Sequence, residues 1–211
     1  MPKEINKKVY SSAYPRLEKA WLKLKCHNYQ RPGVRLFQPM RRLNKLGRQL
    51  KSEKINILDI GCFNGVLSCV ASKHFRKVVG IDVWKDRLNS AIETRKIFGV
   101  KNCTFRFMEF KNYIKSGMFD TDEIRAILAT QVLYHLTTTE IDLMKEKLGS
   151  GNIKAVIFGT RPEKDYTNNA YDLRSVDALL RHMVKPFFPY YNVYYQEEHD
   201  WPIIVATKHE V

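Results

Sequence analysis

Four residues between Ile55 and Trp84, in the stretch INILDIGCFNGVLSCVASKHFRKVVGIDVW, have types and spacing that could do chemistry: Asp59, Gly61, Gly65 and Asp82. Ile55, Ile57, Leu58 and Ile60 form an apolar run, as a buried parallel strand would, and Gly61 follows at once. Gly61 and Gly65 then frame a turn. Lacking Cβ atoms, they tolerate positive φ and let a ligand approach the main chain closely. Val66, Leu67 and Val70 begin a helix whose free N–H groups point back at that turn. A second apolar run, Val78 to Ile81, ends in Asp82, 17 positions after Gly65. There a carboxylate can accept hydrogen bonds from the two hydroxyls of a ribose.

The glycine spacing excludes one ligand class. A dinucleotide turn shows G-x-G-x-x-G and seats a pyrophosphate on the helix N-terminus. Here the pattern is Gly61-x-x-x-Gly65, and Asp59, two positions earlier, would repel phosphate but suit a cationic amino-acid group. The set Asp59, Gly61, Gly65 and Asp82 resembles the cofactor motif of the Rossmann-like, class I methyltransferases that use S-adenosylmethionine (SAM). The resemblance implies that the turn, with Cys62 and Phe63, holds the amino-acid end of SAM, and that Asp82 and Val83 hold the ribose side. It further implies that Glu109 and Phe110 flank the adenine, and that Thr130 and Gln131 close the site beyond the fourth strand. A side chain at Gly65 is expected to intrude at the turn and abolish cofactor binding. The product would be S-adenosylhomocysteine (SAH), and no metal is implied.

Tyr134 and His135, in VLYHL just after the fourth strand, are the candidates for orienting or deprotonating the acceptor. Val132 to Leu136 and the glycine turn also resemble the family that modifies the wobble uridine of tRNA through a carboxylated SAM; plain SAM is the expected donor. An N-P-P-Y type motif is absent after the fourth strand, which argues against methylation of an exocyclic amino group.

The elements that must position these residues follow from periodicity. Strands are expected at Ile55–Ile60, Val78–Ile81, Cys103–Phe110, Ile124–Ala129 and Ala155–Phe158, with helices at Trp84–Phe98 and Leu173–Met183. Gly99 is a C-terminal cap, and Thr137 with Glu140 form a capping box that opens another helix. Tyr190–Tyr195 and Ile203–Thr207 form a closing antiparallel hairpin. The fold class is therefore α/β, a seven-stranded sheet flanked by helices, which the resemblance implies is ordered 3-2-1-4-5-7-6. Arg161 to Asn169 is expected to be a mobile loop over the site.

Charge divides the chain. Residues 1–54 hold 15 Lys and Arg against 3 Asp and Glu, whereas residues 55–211 hold 21 against 19. We expect a basic helical extension, 1–54, before a methyltransferase domain, 55–211. In the extension Leu17, Trp21 and Leu24 mark one helix and Leu36, Met40, Leu43, Leu46 and Leu50 a second, after a turn-rich link from Cys26 to Val34. Arg35, Arg41, Arg42, Lys45, Arg48 and Lys51 would lie on an outward face and track phosphates, with Tyr29 or Trp21 stacking on an unpaired base.

The substrate expected on this basis is nucleic acid, RNA above all. The alternatives are a small-molecule or protein methyltransferase, and a SAM-fold binding subunit without activity. Four irregularly spaced cysteines give neither a disulfide framework nor a zinc pattern, and no window approaches the ~18 apolar residues of a membrane span. MPKEINKKVY has charges with no apolar run behind them, so a cytoplasmic protein is expected.

Overall fold

A computed structural model describes residues 32–50, 55–161, 167–196 and 199–210. The elements run α1 (Pro32–Gln49), β1 (Asn56–Ile60), α2 (Val66–Ala71), β2 (Lys77–Asp82), α3 (Lys85–Phe98), β3 (Cys103–Phe107), α4 (Phe110–Lys115) and α5 (Met118–Thr121). After these come β4 (Ile124–Thr130), α6 (Thr138–Gly149), β5 (Ala155–Gly159), α7 (Val176–Leu179, continued by wider turns through Val184), β6 (Tyr190–Gln196) and β7 (His199–Thr207). Trp21 and Tyr29, with the first helix of the extension, lie outside the described residues, as does Lys51.

One seven-stranded sheet carries the order β3-β2-β1-β4-β5-β7-β6. The first five strands are parallel, and β7 pairs antiparallel with both β5 and β6. All five residues of β1 and of β5 are buried, which is why these strands read as continuous apolar runs and not as alternating ones. Successive residues still serve opposite faces: Ile57 packs with Leu43, Leu46, Leu67 and Val70, while Leu58 and Ile60 pack with Phe110, Leu133 and Ile141. The second helical stripe of the extension thus closes one face of the sheet.

Two boundaries depart from the periodicity in ways that bear on the site. Helix α1 begins at Pro32, so Pro32-Gly33 opens a helix where a link was expected; proline's fixed φ and missing N–H suit a first turn. Strand β3 stops at Phe107, and Glu109 stands just before α4 with Phe110 as its first residue. The alternation of CTFRFMEF therefore continues past the true strand end. The basic residues of α1 do not share one environment either. Arg41, Lys45 and Arg48 are exposed, but Arg42 is only half exposed and its guanidinium carbon lies 3.4 Å from the Tyr194 ring centroid, so it belongs to a wall and not to an outward face. Of Arg35, α1 gives the backbone position alone.

Strands β2 and β3 and helix α4 are tied together by one carboxylate. Asp122, 5% exposed, accepts from Lys77 Nζ (2.8 Å), both Arg106 Nη atoms (2.5 and 3.2 Å) and Tyr113 Oη (2.6 Å). Burial pushes this carboxyl up, yet the hydrogen bonds from Lys77, Tyr113 and Arg106 outweigh burial and hold it below the usual carboxylate range. Its stabilisation is complete above the unfolded carboxyl value near 4 and is lost as pH falls through the lower folded value. Asp122→Ala strands three donors, so urea unfolding should show a loss of about 2–3 kcal/mol at pH 7 that shrinks as pH falls below the unfolded carboxyl value.

Candidate functional site

The chain order reverses at β1, with β2 on one side and β4 on the other, and a crevice opens there beyond the carboxyl ends of the strands. It encloses about 790 Å³. The residues singled out from the sequence are brought together in its lining: Asp59, Gly61, Cys62 and Phe63 from the first turn, Asp82 and Val83 from the second, Glu109 and Phe110 from the third, and Thr130, Gln131, Tyr134 and His135 from the fourth. Gly65 stands at the start of α2, behind the lining. Arg41 and Arg48 lie away from the crevice on α1, and Arg42 and Lys45 line a different cavity.

The turn is held by a carboxylate. Asp82 Oδ2 accepts from the Phe63 N–H and Oδ1 from the Trp84 N–H, both at 2.9 Å. Each oxygen keeps a second lone pair for a ligand hydroxyl. The clasp explains an unusual backbone, because Phe63 sits in the left-handed region at φ 50, a conformation that a bulky residue adopts only when its surroundings enforce it. Beside the Phe63 ring lies the Arg87 guanidinium, 4.8 Å from its centroid and 5.1 Å from that of Trp84.

Gly65 is required by the packing behind the turn. At φ 72, a Cβ there would meet Phe105 Cζ at 2.6 Å and the Ala91 Cβ at 2.8 Å. A side chain would therefore intrude on β3 and α3 and displace the turn. Gly61, at φ 67, faces Val132 in the same way.

Asp59 is the electrostatic oddity of the site. It is 2% exposed, and its hydrogen bond is from Ser68 Oγ at 2.5 Å. Burial, partly offset by that hydrogen bond and reinforced by the charge of Asp82, pushes its carboxyl up to about 7. A buried acid in a crevice wall with only a neutral donor attracts a cationic ligand group. Ser68 stands out in the sequence as the one hydroxyl in the apolar helix VLSCVA, although that does not name its partner. Burial also pushes the Cys62 thiol well up, so it stays protonated.

On the fourth-strand side, Gln131 turns the chain at φ 57, and a single turn of tight helix, Leu133–His135, follows. Tyr134 is 2% exposed, with its ring 4.4 Å from that of His135, which is itself exposed. Part of the segment expected as a mobile loop, 162–166, lies outside the described residues; the part that follows is tied down. Asn169 Nδ2 donates to the carbonyls of Leu133 (3.0 Å) and Leu136 (3.1 Å), the Asn168 N–H to that of Tyr134 (2.8 Å) and Asn168 Nδ2 to that of His135 (3.0 Å). Arg161, after β5, and Lys111 and Glu140 also line the crevice. Arg161 opens the segment expected over the site.

Comparison with known proteins fixes the family. Residues 51–157, half of the chain, match the family model described as "Methyltransferase domain". The chain belongs to the methyltransferase-domain family. Among curated relatives it is similar to a probable cobalt-precorrin-6B C(15)-methyltransferase (decarboxylating) of Methanococcus vannielii, 28% identical over 119 residues that cover 54% of this chain and 60% of that protein. The Methanococcus maripaludis counterpart is 27% identical over 132 residues, 63% of this chain and 67% of that protein. The chain thus spans well under the full length of the first of these relatives. Among solved structures, an rRNA methylase from Streptococcus thermophilus has a TM-score of 0.58 at 14% identity, covering 81% of this chain and 97% of that one. The N-terminal domain of EvdMO1, in the presence of SAH and D-fucose, has a TM-score of 0.59 at 12% identity, covering 94% and 97%. At such identities these likenesses show the fold.

The crevice residues fit the methyl donor of this family. Asp59 offers a buried, cation-seeking carboxyl for the ammonium end, Asp82 has lone pairs free for ribose hydroxyls, and Val83, Met108 and Phe110 supply apolar wall for a base. Two tests follow. Asp82→Ala should weaken SAH binding at least about tenfold by calorimetry, since charged hydrogen bonds to hydroxyls are lost and the clasp on Phe63 with them. In the ligand-free protein, the stability gained from protonated Asp59 is complete below the unfolded value near 4 and is lost as pH rises to about 7. Asp59→Asn should remove that loss, melting higher than the parent at pH 8 and like it at pH 5, while binding SAH more weakly.

Proposed function

We propose that this chain is a SAM-dependent methyltransferase whose acceptor is RNA. The observation that carries the RNA assignment is the exposed face of α1, where Arg41, Lys45 and Arg48 stand in solvent at the end of a segment with net charge +12, before a remainder close to neutral. A concentrated positive face beside a near-neutral catalytic domain matches a polyanion, and phosphates are met by such residues in register with the strand.

SAM, when bound, supplies a methyl group already activated on a sulfonium sulfur. What remains for the protein is mostly orientation and exclusion of water. Asp59 and Asp82 anchor the two ends of the donor, and the apolar lining between Val83 and Phe110 holds the base. Tyr134 is a buried wall. His135, exposed on the rim beside it, is placed to take the proton that an acceptor nitrogen or oxygen releases. Lys111 and Arg161 on the same rim add positive charge where a phosphate-bearing acceptor would enter.

A second reading, a small-molecule methyltransferase, is favoured by the names of the two Methanococcus relatives. Transfer of labelled methyl groups from SAM into separated RNA, protein and small-molecule fractions distinguishes the two. Label in RNA is the expected result; label confined to small molecules overturns the RNA acceptor. His135→Ala should lower turnover on the order of 10²-fold with SAH affinity intact. The affinity for single-stranded RNA should fall with log salt, and Arg41→Gln, Lys45→Gln and Arg48→Gln together should reduce that slope by about 2.

A further inference from the structure

Away from the crevice, a second cavity of about 320 Å³ lies between α1 and the closing hairpin. Its walls include Arg42, Lys45 and Gln49 from the helix and Tyr190, Asn192 and Tyr194 from β6. We infer that this cavity receives one unpaired nucleotide of the RNA substrate, with its phosphate on Arg42 and Lys45 and its base against Tyr190. The inference rests on the RNA reading of the crevice and names where the strand is gripped.

Four observations support it. Arg42 is built into the wall: one face of its guanidinium is stacked on Tyr194, and its Nε is buried without a hydrogen-bond acceptor among the described residues. A planar, five-donor cation held so is suited to a phosphate through its outer nitrogens. Lys45 is an exposed second cation, and Glu210 is the one acid in the lining, so the balance stays positive. Tyr190, 44% exposed, and its neighbour Tyr191, 38% exposed, are aromatic faces left open on an edge strand. Aromatic surface next to cations is the pattern that holds single strands, because every base offers a π-face for stacking. Gln49 and Asn192 add amides that can meet base edges.

The placement also connects cavity and crevice. Tyr194 pairs with Ile203, which pairs with Gly159 at the carboxyl end of β5, the crevice end of the sheet. Tyr190 pairs with Thr207, opposite Ala155 at the other end. Gly47 of α1 lies against His74, just before β2, so the helix descends from the crevice end at Arg42 toward the amino ends of the parallel strands. A strand bound in the cavity is thus led along β6 toward the carboxyl ends where the methyl donor sits.

The test uses the full chain and a single-stranded RNA of about 12 nucleotides carrying 5-iodouridine. Irradiation followed by peptide mass spectrometry should place the crosslink on Tyr190 or Tyr191. Lys45→Gln with Tyr190→Ala, both exposed positions, should weaken binding of that RNA at least about tenfold and raise the RNA KM, with SAH affinity and melting temperature unchanged. Arg42→Gln should do the same, and its melting curve reports separately any loss from the stacked wall. Crosslinks only elsewhere, or RNA methylation with an unchanged KM in the exposed pair, overturn the cavity and leave the RNA methyltransferase standing. Crosslinking at Tyr190 with no methyl transfer to RNA upholds the cavity and overturns that acceptor. Uridine 5′-monophosphate competing as well as the RNA strand would make this a mononucleotide pocket and overturn the strand grip.

Discussion

Parallel strands cannot be joined by a tight turn; each crossover must climb over a face of the sheet, and nearly all do so with the same hand. When β1 is laid down first, with β2 added on one side and β4 on the other, the two crossovers leave by opposite faces and part above β1. That parting is the crevice. Everything chemical follows from which residues the sequence places at five strand ends, and Asp82 secures the arrangement by joining the end of β2 to the turn after β1 through the N–H of Phe63. A non-glycine residue at φ 50 in the turn is kept there by this clasp, so one carboxylate serves both the backbone and, through its remaining lone pairs, a ligand.

Much of this was legible because buried parallel strands are short, continuous apolar runs and glycine at positive φ is punctuation. The strand order and the capping box at Thr137 and Glu140 follow directly from that pattern and the family resemblance. Contacts between side chains distant in sequence were less legible. Nothing local says that Ser68 will bond Asp59, that Asn169 will fasten the turn after β4, or that Asp122 will gather Lys77, Arg106 and Tyr113. The neighbours that confine Gly65, Phe105 and Ala91, likewise come from a later strand and helix. Arg42 looked like its neighbours Arg41 and Lys45 until β6 placed a tyrosine against it.

The crevice lining distributes its charges unevenly. Asp59 and Asp82 are both buried at the turn after β1, and the Asp59 carboxyl is pushed up to about 7. Lys111 and Arg161 line it together with Glu109 and Glu140, and the Lys111 N–H donates to Glu140 Oε1, so that side carries both signs. A cationic methyl donor is thereby drawn to the wall of Asp59 and Asp82.

The fastening of residues 168–169 to the carbonyls of 133–136 bears on how the crevice can breathe. Four hydrogen bonds from Asn168 and Asn169, and a fifth from Thr167 Oγ1 to the Tyr134 carbonyl at 3.4 Å, join the turn after β4 to the chain that follows β5, so these two stretches are coupled. A motion that admitted a bulky acceptor by swinging one of them aside would have to break the set or carry both. Widening on that side is consequently a concerted matter, in which the segment after β4 cannot shift without the one after β5.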